Sequence, residues 1–576
     1  MAHFHQIISL LNSAERRKFY LLIIIAFIVS ILDAIGIFSV MPFIGILINP
    51  ESVIENSLFI NYAPNFLLGD EKKTKIYLGF IFFFLFLLSQ LAKIINTYFQ
   101  VRFSHMREYS ISERVLNSYL SKSYSQIICK DNVEVVKGIL TEVQIVIEHA
   151  LWPLINAITQ VMLTIILISL VFIVNPIVAM VVFGTIFIFY SGVFLFFRSK
   201  ARCVGEKWQL SNKNRFKILN EIVGAIKEIK LYGAERLFHD VYKLPSLENA
   251  KAKTNTLLLA TLPKNVLEIF VFGFLMCVLI YALDTESVDE YLPLVTLYAL
   301  AGYRLLPAMT SIYSSLTNIS ISKPAFDFIQ NEIISNLNRV AVDHEPVNIE
   351  FLEKLELKDV SYSYGSRNLQ ILNNVYLEVS KGKIIAIVGA SGSGKTTLVD
   401  LAMGLLQADS GEIFIDNIAF KKSNNFILKG IGYVPQKFFM LNDTITKNVA
   451  FGISDNDIDL TRVKHVCGLV NLSEFIDTLP DGYETFIGEN GGYLSGGQVQ
   501  RLAIARALYK DPQCLVFDEA TSALDYENAK HIMNIVKHLK KDLAVIIITH
   551  DTKFFDYYDK VYELKNGKLS ISAEGC

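Results

Sequence analysis

The sequence predicts a membrane all-α domain of six transmembrane helices with long cytoplasmic helical extensions, followed by an α/β domain. Hydrophobic residues make up 52% of the 576 residues and charged residues only 19%, whereas soluble globular proteins carry about 25% charged residues. The apolar excess lies almost wholly before residue 320. After it, short β-branched runs alternate with helical segments, which is typical of buried parallel strands. A chain of 576 residues is also too long for one compact core, so two or more domains are expected.

The overall charge and the cysteines exclude several classes of protein. The formal net charge is -2, so no general electrostatic attraction to nucleic acid is expected. The six cysteines lie far apart and form no C-x-x-C pair, which argues against a zinc site or a dense disulfide framework. The hydrophobic content excludes a disordered chain.

Six apolar stretches are long enough to cross a membrane, since a spanning helix needs about 20 residues. They lie near 19–48, 75–97, 151–174, 177–198, 257–283 and 289–312. The first is too long for a signal-peptide core and has no small-residue cleavage pattern, so we expect it to be retained. The predicted domains are a membrane domain over 1–320, a linker over 321–350 and an α/β domain over 351–576.

The distribution of basic residues predicts the orientation in the membrane. Lysines and arginines are concentrated in 98–150 and 199–256, whereas the short connections at 175–176 and 284–290 carry none. Because basic flanks stay cytoplasmic, both termini and the α/β domain are expected on the cytoplasmic side of a multi-pass inner-membrane protein. Residues 49–74 would then be external, and their composition favours short helices on the outer membrane surface.

A phosphate-binding loop is predicted by Gly389–Thr396, which fits G-x-x-x-x-G-K-[ST]. It follows a predicted strand, Ile384–Val388, and precedes a predicted helix that begins at Thr396. Lys395 is placed to reach the β- and γ-phosphates, and the Thr396 hydroxyl to bind Mg²⁺. A flexible glycine-rich turn is the alternative, but it does not account for the strand–loop–helix order. The glycines that would turn backbone N–H groups toward phosphate are Gly389, Gly392 and Gly394.

An acidic pair, Asp518 and Glu519, ends the predicted strand Cys514–Phe517. We assign Asp518 to Mg²⁺ and Glu519 to the general base that activates water. Such a pair on its own is more often a solvated strand end, but the phosphate loop reverses that preference.

These motifs resemble those of the ATP-binding cassette family, whose signature sequence is matched by Leu494–Gln498. The resemblance implies that Tyr364 stacks on adenine and that Gln436 links the metal and the water to the membrane half. It also implies that Asp525 couples two cassettes and that His550 contacts the γ-phosphate. The implied catalytic residues are Glu519, His550 and Gln436, and the implied metal ligands are Thr396, Gln436 and Asp518. The implied ATP contacts are Tyr364, Gly389, Ser391, Gly392, Gly394, Lys395, Thr396, Thr397, Ser495, Gly496, Gly497, Gln498 and Asp525.

The resemblance also implies a dimer, because in this family the signature of one cassette closes over the ATP held by the other. The chain has one phosphate loop and one signature, so it must pair with another chain. A symmetric homodimer is the simplest closed assembly, and a heterodimer with a related protein is the alternative.

Six spans followed by one cassette resemble the exporter branch, as does Thr485–Gly491 just ahead of the signature. About 18 residues precede the first span, which leaves no room for the peptidase domain of some peptide exporters. The membrane segments Ile31–Phe43 and Leu297–Pro307 are similar to those of bacterial lipid-linked oligosaccharide flippases. That similarity implies a polyprenyl-diphosphate-linked glycan as the substrate. The alternatives are a small peptide or a drug-like amphiphile, or a regulatory ATPase or channel gated by the cassette.

Ionisable residues inside the spans are candidate substrate contacts, because a charge within the bilayer costs at least ~2.5–3.5 kcal/mol. The cations Lys93, Lys264 and Arg304 would suit a pyrophosphate. Lys93 and Lys264 could instead extend to the membrane interface. Asp33 and Glu268 could simply neutralise one of the three cations.

Overall fold

The computed structural model divides the chain into two compact units, Met1–Lys122 with Lys130–Leu337 and Ser123–Cys129 with Asn338–Cys576. The predicted external segment lies outside the described residues, except for 71–74, which begin a long helix. The structure describes residues 2–38, 71–128, 132–174, 176–284, 288–340, 347–350, 353–364, 369–420, 426–520, 526–541, 543–550 and 553–574.

The first unit is helical. One continuous run combines three α-helices, Asn132–Lys137, Val143–Val146 and Trp152–Val174, with two π-helical turns, Gly138–Glu142 and Ile147–Leu151. The helices of this unit are α1 (Ala2–Ser9), α2 (Ser13–Phe38), α3 (Glu71–Leu120), α5 (Asn132–Lys137), α6 (Val143–Val146), α7 (Trp152–Val174), α8 (Pro176–Gly224), α9 (Ile226–Tyr232), α10 (Glu235–Asp284), α11 (Val288–Ile321) and α12 (Lys323–Val340).

Helices α3 and α10 each contain 50 residues and α8 contains 49, so each spans about 75 Å at 1.5 Å per residue. A hydrocarbon core is about 30 Å thick, which confirms the predicted long helical extensions. Within the described ranges, Ser13–Gly36, Gly79–Leu120 and Val135–Ile173 are long and apolar enough to cross a membrane. The other three predicted spans lie in helices α8, α10 and α11.

Small and apolar residues let the helices of the first unit approach closely. A Cβ on Gly36 of α2 would lie 2.8 Å from the Ser89 hydroxyl of α3. Ala34 of α2 packs in one buried cluster with Leu167 of α7 and Leu305 of α11. The predicted linker, 321–350, contains α12, whose Phe326 and Ile329 are buried in a second cluster of this unit.

The second unit contains the predicted α/β domain together with the short helix α4 (Tyr124–Ile128). The strands are β1 (Val347–Glu350), β2 (Lys354–Tyr364), β3 (Leu369–Ser380), β4 (Ile384–Val388), β5 (Ser410–Ile415), β6 (Ile418–Phe420), β7 (Phe426–Lys429), β8 (Ile431–Val434), β9 (Cys514–Asp518), β10 (Ala544–Ile548), β11 (Lys560–Lys565) and β12 (Lys568–Glu574). A six-stranded sheet has the order β12-β11-β4-β10-β9-β8, and all its pairs are parallel except β11 with β12. The four-stranded sheet β3-β2-β5-β6 is antiparallel, and β1 pairs with β7.

Helices cover the parallel sheet, and the strand β4 is buried on both faces. Ile384 and Ala386 lie in one apolar cluster, whereas Ile385 and Ile387 lie in the other, as the alternation of side chains along a strand requires. The continuous apolar sequence of this strand is therefore explained. The α-helices of this unit that follow β4 in the chain are α13 (Lys395–Ala402), α14 (Ile445–Val449), α15 (Leu460–Leu469), α16 (Ser473–Asp477), α17 (Gly496–Tyr509) and α18 (Tyr526–Leu539).

Candidate functional site

The loop from Gly389 to Gly394 connects β4 to α13, so the phosphate-loop motif has the predicted strand–loop–helix frame. Gly394 has φ +100°, a left-handed conformation that favours glycine. A Cβ at this position would lie 2.7 Å from Cγ2 of Ile371 on β3. Glycine is therefore required both by the backbone conformation and by the space available.

Lys395, the first residue of α13, is buried, and its Nζ donates to the carbonyl oxygens of Gly389 and Ala390 at 3.0 Å each. Its ammonium group is thereby held across the loop. The hydroxyl Oγ of Ser393 is also buried and has no hydrogen-bond partner among the described residues. A buried donor without a partner inside a glycine-rich loop fits a site for phosphate oxygens.

Asp518 lies at the carboxyl end of β9 and is buried. Its Oδ2 accepts hydrogen bonds from Thr396 Oγ1 at 3.1 Å and from Tyr433 Oη at 3.3 Å. Burial raises the pKa of Asp518, and the charge of Glu519 adds to this effect. A divalent cation would compensate for this burial of negative charge.

A carboxylate beside a hydroxyl is an oxygen donor set that suits Mg²⁺, which keeps few protein ligands and takes the rest from phosphates and water. In the described part of the chain, no group of three or more His, Cys, Asp or Glu side chains could hold a metal ion. The pair Thr396 and Asp518 therefore fits a Mg²⁺ ion that ATP helps to hold.

Glu519 follows Asp518 and has φ +52°, a left-handed conformation that is uncommon outside glycine. Its backbone N–H donates to the carbonyl oxygen of Ile548 at 3.0 Å, which fixes this conformation between β9 and β10. Its Oε2 accepts from Gln436 Nε2 at 2.5 Å, and its Oε1 lies 2.8 Å from His550 Nε2. Lys395 Nζ is 4.0 Å from the same Oε1.

The three predicted catalytic residues are thus in direct contact, because parallel strands bring their carboxyl ends to one edge of the sheet. Gln436 follows β8, Glu519 follows β9 and His550 follows β10. Gln436 was predicted to bind the metal as well, but its amide donates to Glu519 in this structure. Its role as a metal ligand remains a prediction.

The predicted adenine-stacking residue, Tyr364, lies at the end of β2 and is half-buried. Its hydroxyl is 3.4 Å from Thr397 Oγ1, and its ring meets that of Tyr362 edge-on. The phosphate loop and this aromatic ring are therefore neighbours. Ser391 and Gly392 are exposed in the loop, as contacts to a ligand require.

The signature residues form the start of α17. Ser495 Oγ accepts from Gln498 N, and Gln498 Oε1 accepts from Ser495 N at 2.7 Å, which is a complete capping box. Gly496 and Gly497 occupy the first turn between these two residues, and Ser495 and Gly496 are exposed. Asp525 lies outside the described residues.

Two residues near the predicted metal ligands were not predicted from the sequence. Asp400 is buried on α13, four residues after Thr396, and burial followed by the charge of Asp518 raises its pKa to about 6. Tyr433 lies three residues before Gln436, and burial followed by the charge of Asp518 raises its pKa. The i, i+4 spacing of Asp400 from Thr396 was the available signal, because such residues share a helix face.

Among the predicted substrate residues, the structure places Lys93 and Arg304 together. Arg304 Nη2 pairs with Asp33 Oδ1, and Lys93 Nζ lies 3.7 Å from Asp33 Oδ2. The alternative in which Asp33 neutralises a cation is therefore what the structure shows. The side chain of Lys264 lies outside the described residues.

Comparison with known proteins identifies both halves of the chain. Residues 372–522 match the family described as "ABC transporter", and residues 19–285 match "ABC transporter transmembrane region". A solved structure described as a bacterial Atm1-family ABC exporter with ATP bound has a TM-score of 0.74 and 20% identity, and covers 98% of this chain and 96% of that chain. This likeness supports the fold alone.

Curated relatives match over shorter lengths. An ATP-dependent lipid A-core flippase of Ralstonia nicotianae is 40% identical over 217 residues, which are 37% of each chain. The heterocyst differentiation ATP-binding protein HepA of a Nostoc species is 31% identical over 353 residues, which are 61% of this chain and 57% of the relative. The chain thus matches between about a third and just over half of the length of these relatives.

Proposed function

The chain is an ABC transporter with a transmembrane domain fused to an ABC cassette, and on this basis we propose that it is an ATP-driven exporter that flips an anionic lipid-linked saccharide across the cytoplasmic membrane. The observation that carries the proposal is the convergence of Lys395, Asp518, Glu519, Gln436 and His550 at one edge of the parallel sheet. A structural cassette without turnover would not need a carboxylate held between an amide and an imidazole.

Each residue of this group has a role in hydrolysis. Mg²⁺ held by Thr396 and Asp518 would supply charge neutralisation for the phosphates of ATP. Lys395 would bind those phosphates. Glu519 would accept the proton of the attacking water, and Gln436 and His550 would hold its two carboxylate oxygens in place.

The proposed assembly is a homodimer, and an exposed apolar surface at the end of the α8–α10 hairpin supports it. Leu231 and Tyr232 are 76% and 78% exposed, and Val223, Ile226 and Leu237 are also exposed. Helix α8 continues for 26 residues beyond the predicted span at 177–198, or about 39 Å, so lipid cannot cover the residues at its end. Several exposed apolar side chains so far from the predicted span are typical of a protein interface, and we propose that a second copy of this chain occupies it.

The substrate proposal rests on the relatives and on the charges within the membrane part. Relatives named lipid A-core flippases make a lipid the class of substrate that we propose. Two cations that meet within the spans favour an anionic headgroup, and the predicted polyprenyl-diphosphate-linked oligosaccharide has one. The cassette is proposed to be cytoplasmic, where ATP is available.

Reconstitution tests this proposal. The purified chain in liposomes is assayed for ATP-dependent flipping of labelled polyprenyl-diphosphate-linked oligosaccharide, with lipid A-core, a peptide and a dye in parallel. We expect flipping of an anionic lipid by the wild type. Glu519→Gln should bind ATP normally and lose hydrolysis by at least about 100-fold, since general-base catalysis contributes about 10²–10⁴.

Each other outcome contradicts a different part of the proposal. Full ATPase activity in Glu519→Gln would refute the assignment of the base. Movement of the peptide or the dye but of neither lipid would favour an exporter of small amphiphiles. Steady hydrolysis without movement of any of them would favour a regulatory ATPase.

A further inference from the structure

Three charged side chains from different helices meet within the membrane-spanning part of the first unit. Asp33 comes from α2, Lys93 from α3 and Arg304 from α11. Arg304 pairs directly with one oxygen of Asp33, and Lys93 approaches the other at 3.7 Å. Gln90, one turn before Lys93, directs its Nε2 to Asp33 Oδ1 at 3.5 Å. We call Asp33, Lys93 and Arg304 the intramembrane cluster.

The intramembrane cluster carries two positive charges and one negative charge. Among the described residues, Asp33 is the one carboxylate that pairs with these two cations. Within the described ranges, the buried Nε of Arg304 has no hydrogen-bond partner. The Lys93 ammonium lies beyond hydrogen-bond distance of Asp33, and the Lys93 side chain is 39% exposed. The cluster therefore has an excess positive charge and N–H donors that no group among the described residues accepts.

An excess charge within the bilayer is unfavourable unless an anion compensates it. Arginine and lysine together suit phosphate, because the guanidinium donates through several N–H groups and the ammonium adds a point charge. We propose that Asp33 is an internal substitute for the substrate phosphate, which competes with it for Arg304 and Lys93. This inference rests on the proposed function and names the residue that sets affinity for the anionic headgroup.

Competition follows from the placement of Asp33. Its side chain is 4% exposed, and Ala34 beside it is buried against α7 and α11, so the carboxylate cannot move far from the cations. Its negative charge therefore opposes any phosphate that reaches them. A neutral headgroup cannot replace Asp33, so the cluster would select against uncharged lipids. Because Asp33 and Arg304 connect α2 to α11, phosphate binding would also release this connection.

The test compares the wild type with Asp33→Asn in liposomes, by stimulation of ATPase activity and by the thermal unfolding midpoint. The probes are polyprenyl diphosphate and the uncharged polyprenol. In Asp33→Asn we expect the half-maximal concentration of polyprenyl diphosphate to fall by about tenfold, because a repelling charge is removed at ion-pair distance. The thermal unfolding midpoint of Asp33→Asn without lipid should be lower than that of the wild type. Polyprenol should stimulate the ATPase activity of neither protein.

Glu15→Gln is the matched control. Glu15 is another buried carboxylate of the first unit, and it pairs with Arg107 and with Arg114. Its replacement should lower the unfolding midpoint and leave the half-maximal concentration of polyprenyl diphosphate unchanged. General destabilisation is thereby separated from a specific effect on the headgroup.

A second comparison remains informative if Asp33→Asn does not assemble. Asp33→Asn with Lys93→Gln leaves Arg304 alone, so the intramembrane cluster keeps the net charge of +1 that it has in the wild type. This double variant should bind polyprenyl diphosphate more tightly than Lys93→Gln alone. Equal or weaker binding in both Asp33 variants would overturn the inference.

The two proposals fail in different ways. If the wild type is stimulated by polyprenyl diphosphate or lipid A-core but the Asp33 variants do not differ from their parents, the inference is wrong and the proposed function stands. If neither lipid stimulates the wild type, the proposed function is wrong, and the inference is overturned with it.

Discussion

Replacing Asp400 by asparagine should stabilise the cassette at neutral pH. Asp400 is buried one helical turn after Thr396, and its carboxylate interacts with that of Asp518. Burial, followed by this repulsion, raises its pKa from 3.8 to about 6. A group with a raised pKa favours the folded state only while it keeps its proton, so the charged form should destabilise the fold.

The sign and size of the change in folding stability with pH follow from the difference between the folded and unfolded pKa of Asp400. The unfolded chain releases the Asp400 proton near pH 3.8 and the folded chain near pH 6, so the stability of the wild type falls as pH rises between these values. A shift of about two units corresponds to ~3 kcal/mol at most, and this difference is constant above the folded pKa. Asparagine does not titrate, so the stability of Asp400→Asn relative to wild type should grow by up to that amount between pH 4 and pH 7.

For a domain of about 200 residues, ~3 kcal/mol corresponds to a rise of roughly 6–12 °C in the unfolding midpoint. The assay uses the full chain in detergent with EDTA and without nucleotide, because a cation on Asp518 would reverse the local charge. Differential scanning calorimetry reports the unfolding midpoint, because a thiol-reactive dye needs the thiolate and would react too slowly at acid pH.

Asp511→Asn is the control, because that side chain is 90% exposed and its replacement should give a midpoint that follows the wild type at every pH. The reasoning about Asp400 is refuted if its variant also runs parallel to the wild type from pH 4.5 to pH 8. A loss of stability that is the same at all pH values would likewise show that hydrogen bonding, and not charge burial, determines its contribution.

Two further predictions concern the ATP site. Thr396→Ala removes a hydroxyl that donates to Asp518 at 3.1 Å, so the Mg²⁺ concentration for half-maximal ATPase activity should rise by about tenfold; an unchanged Mg²⁺ titration would exclude Thr396 as a ligand. Gly394→Ala should lower ATP-analogue affinity more than Gly392→Ala does, because both have positive φ but only the Cβ at 394 meets a neighbour, Ile371, at 2.7 Å. Equal losses of ATP-analogue affinity in the two glycine variants would show that the contact with Ile371 does not affect binding.

The cassette could be predicted from the sequence in unusual detail, because each motif specifies both a residue and a backbone conformation. The strand expected at Ile384–Val388 is present with these bounds, and β9 (Cys514–Asp518) is one residue longer than the expected Cys514–Phe517. Parallel strands bring their carboxyl ends to one edge, so Glu519 and His550 could be expected to meet although 31 residues separate them.

Asp400 and Ser393 show where sequence reasoning ends within the same site. The i, i+4 spacing places Asp400 on the same helix face as Thr396. A carboxylate on a helix face is usually solvated, however, so this spacing does not show that Asp400 is buried and interacts with Asp518. Likewise, the lack of a hydrogen-bond partner for Ser393 Oγ depends on the path of the loop, which the motif does not determine.

The membrane part was less predictable for a physical reason. Spanning helices are apolar on all sides, so the sequence gives their length but not which helices are neighbours. Lys93 and Arg304 were expected to face a substrate, and pairing with Asp33 was one open alternative. Only the packing of α2, α3 and α11 shows that a single carboxylate serves both cations.

Two carboxylates, Glu519 and Asp33, pair with cations that are proposed to bind phosphate, and their replacement should have separable effects. Glu519 lies 4.0 Å from Lys395 and is proposed to act on water, so Glu519→Gln should lower turnover without changing the half-maximal lipid concentration. Asp33 lies in the other unit and is proposed to oppose the lipid phosphate, so Asp33→Asn should change lipid affinity without changing ATP affinity. If the lipid and ATP sites are coupled, lipid must change the affinity for ATP by the same factor by which ATP changes the affinity for lipid. Measuring ATP-analogue binding to Glu519→Gln with and without lipid gives that factor. A factor of one would mean that the lipid acts only on steps after ATP binding.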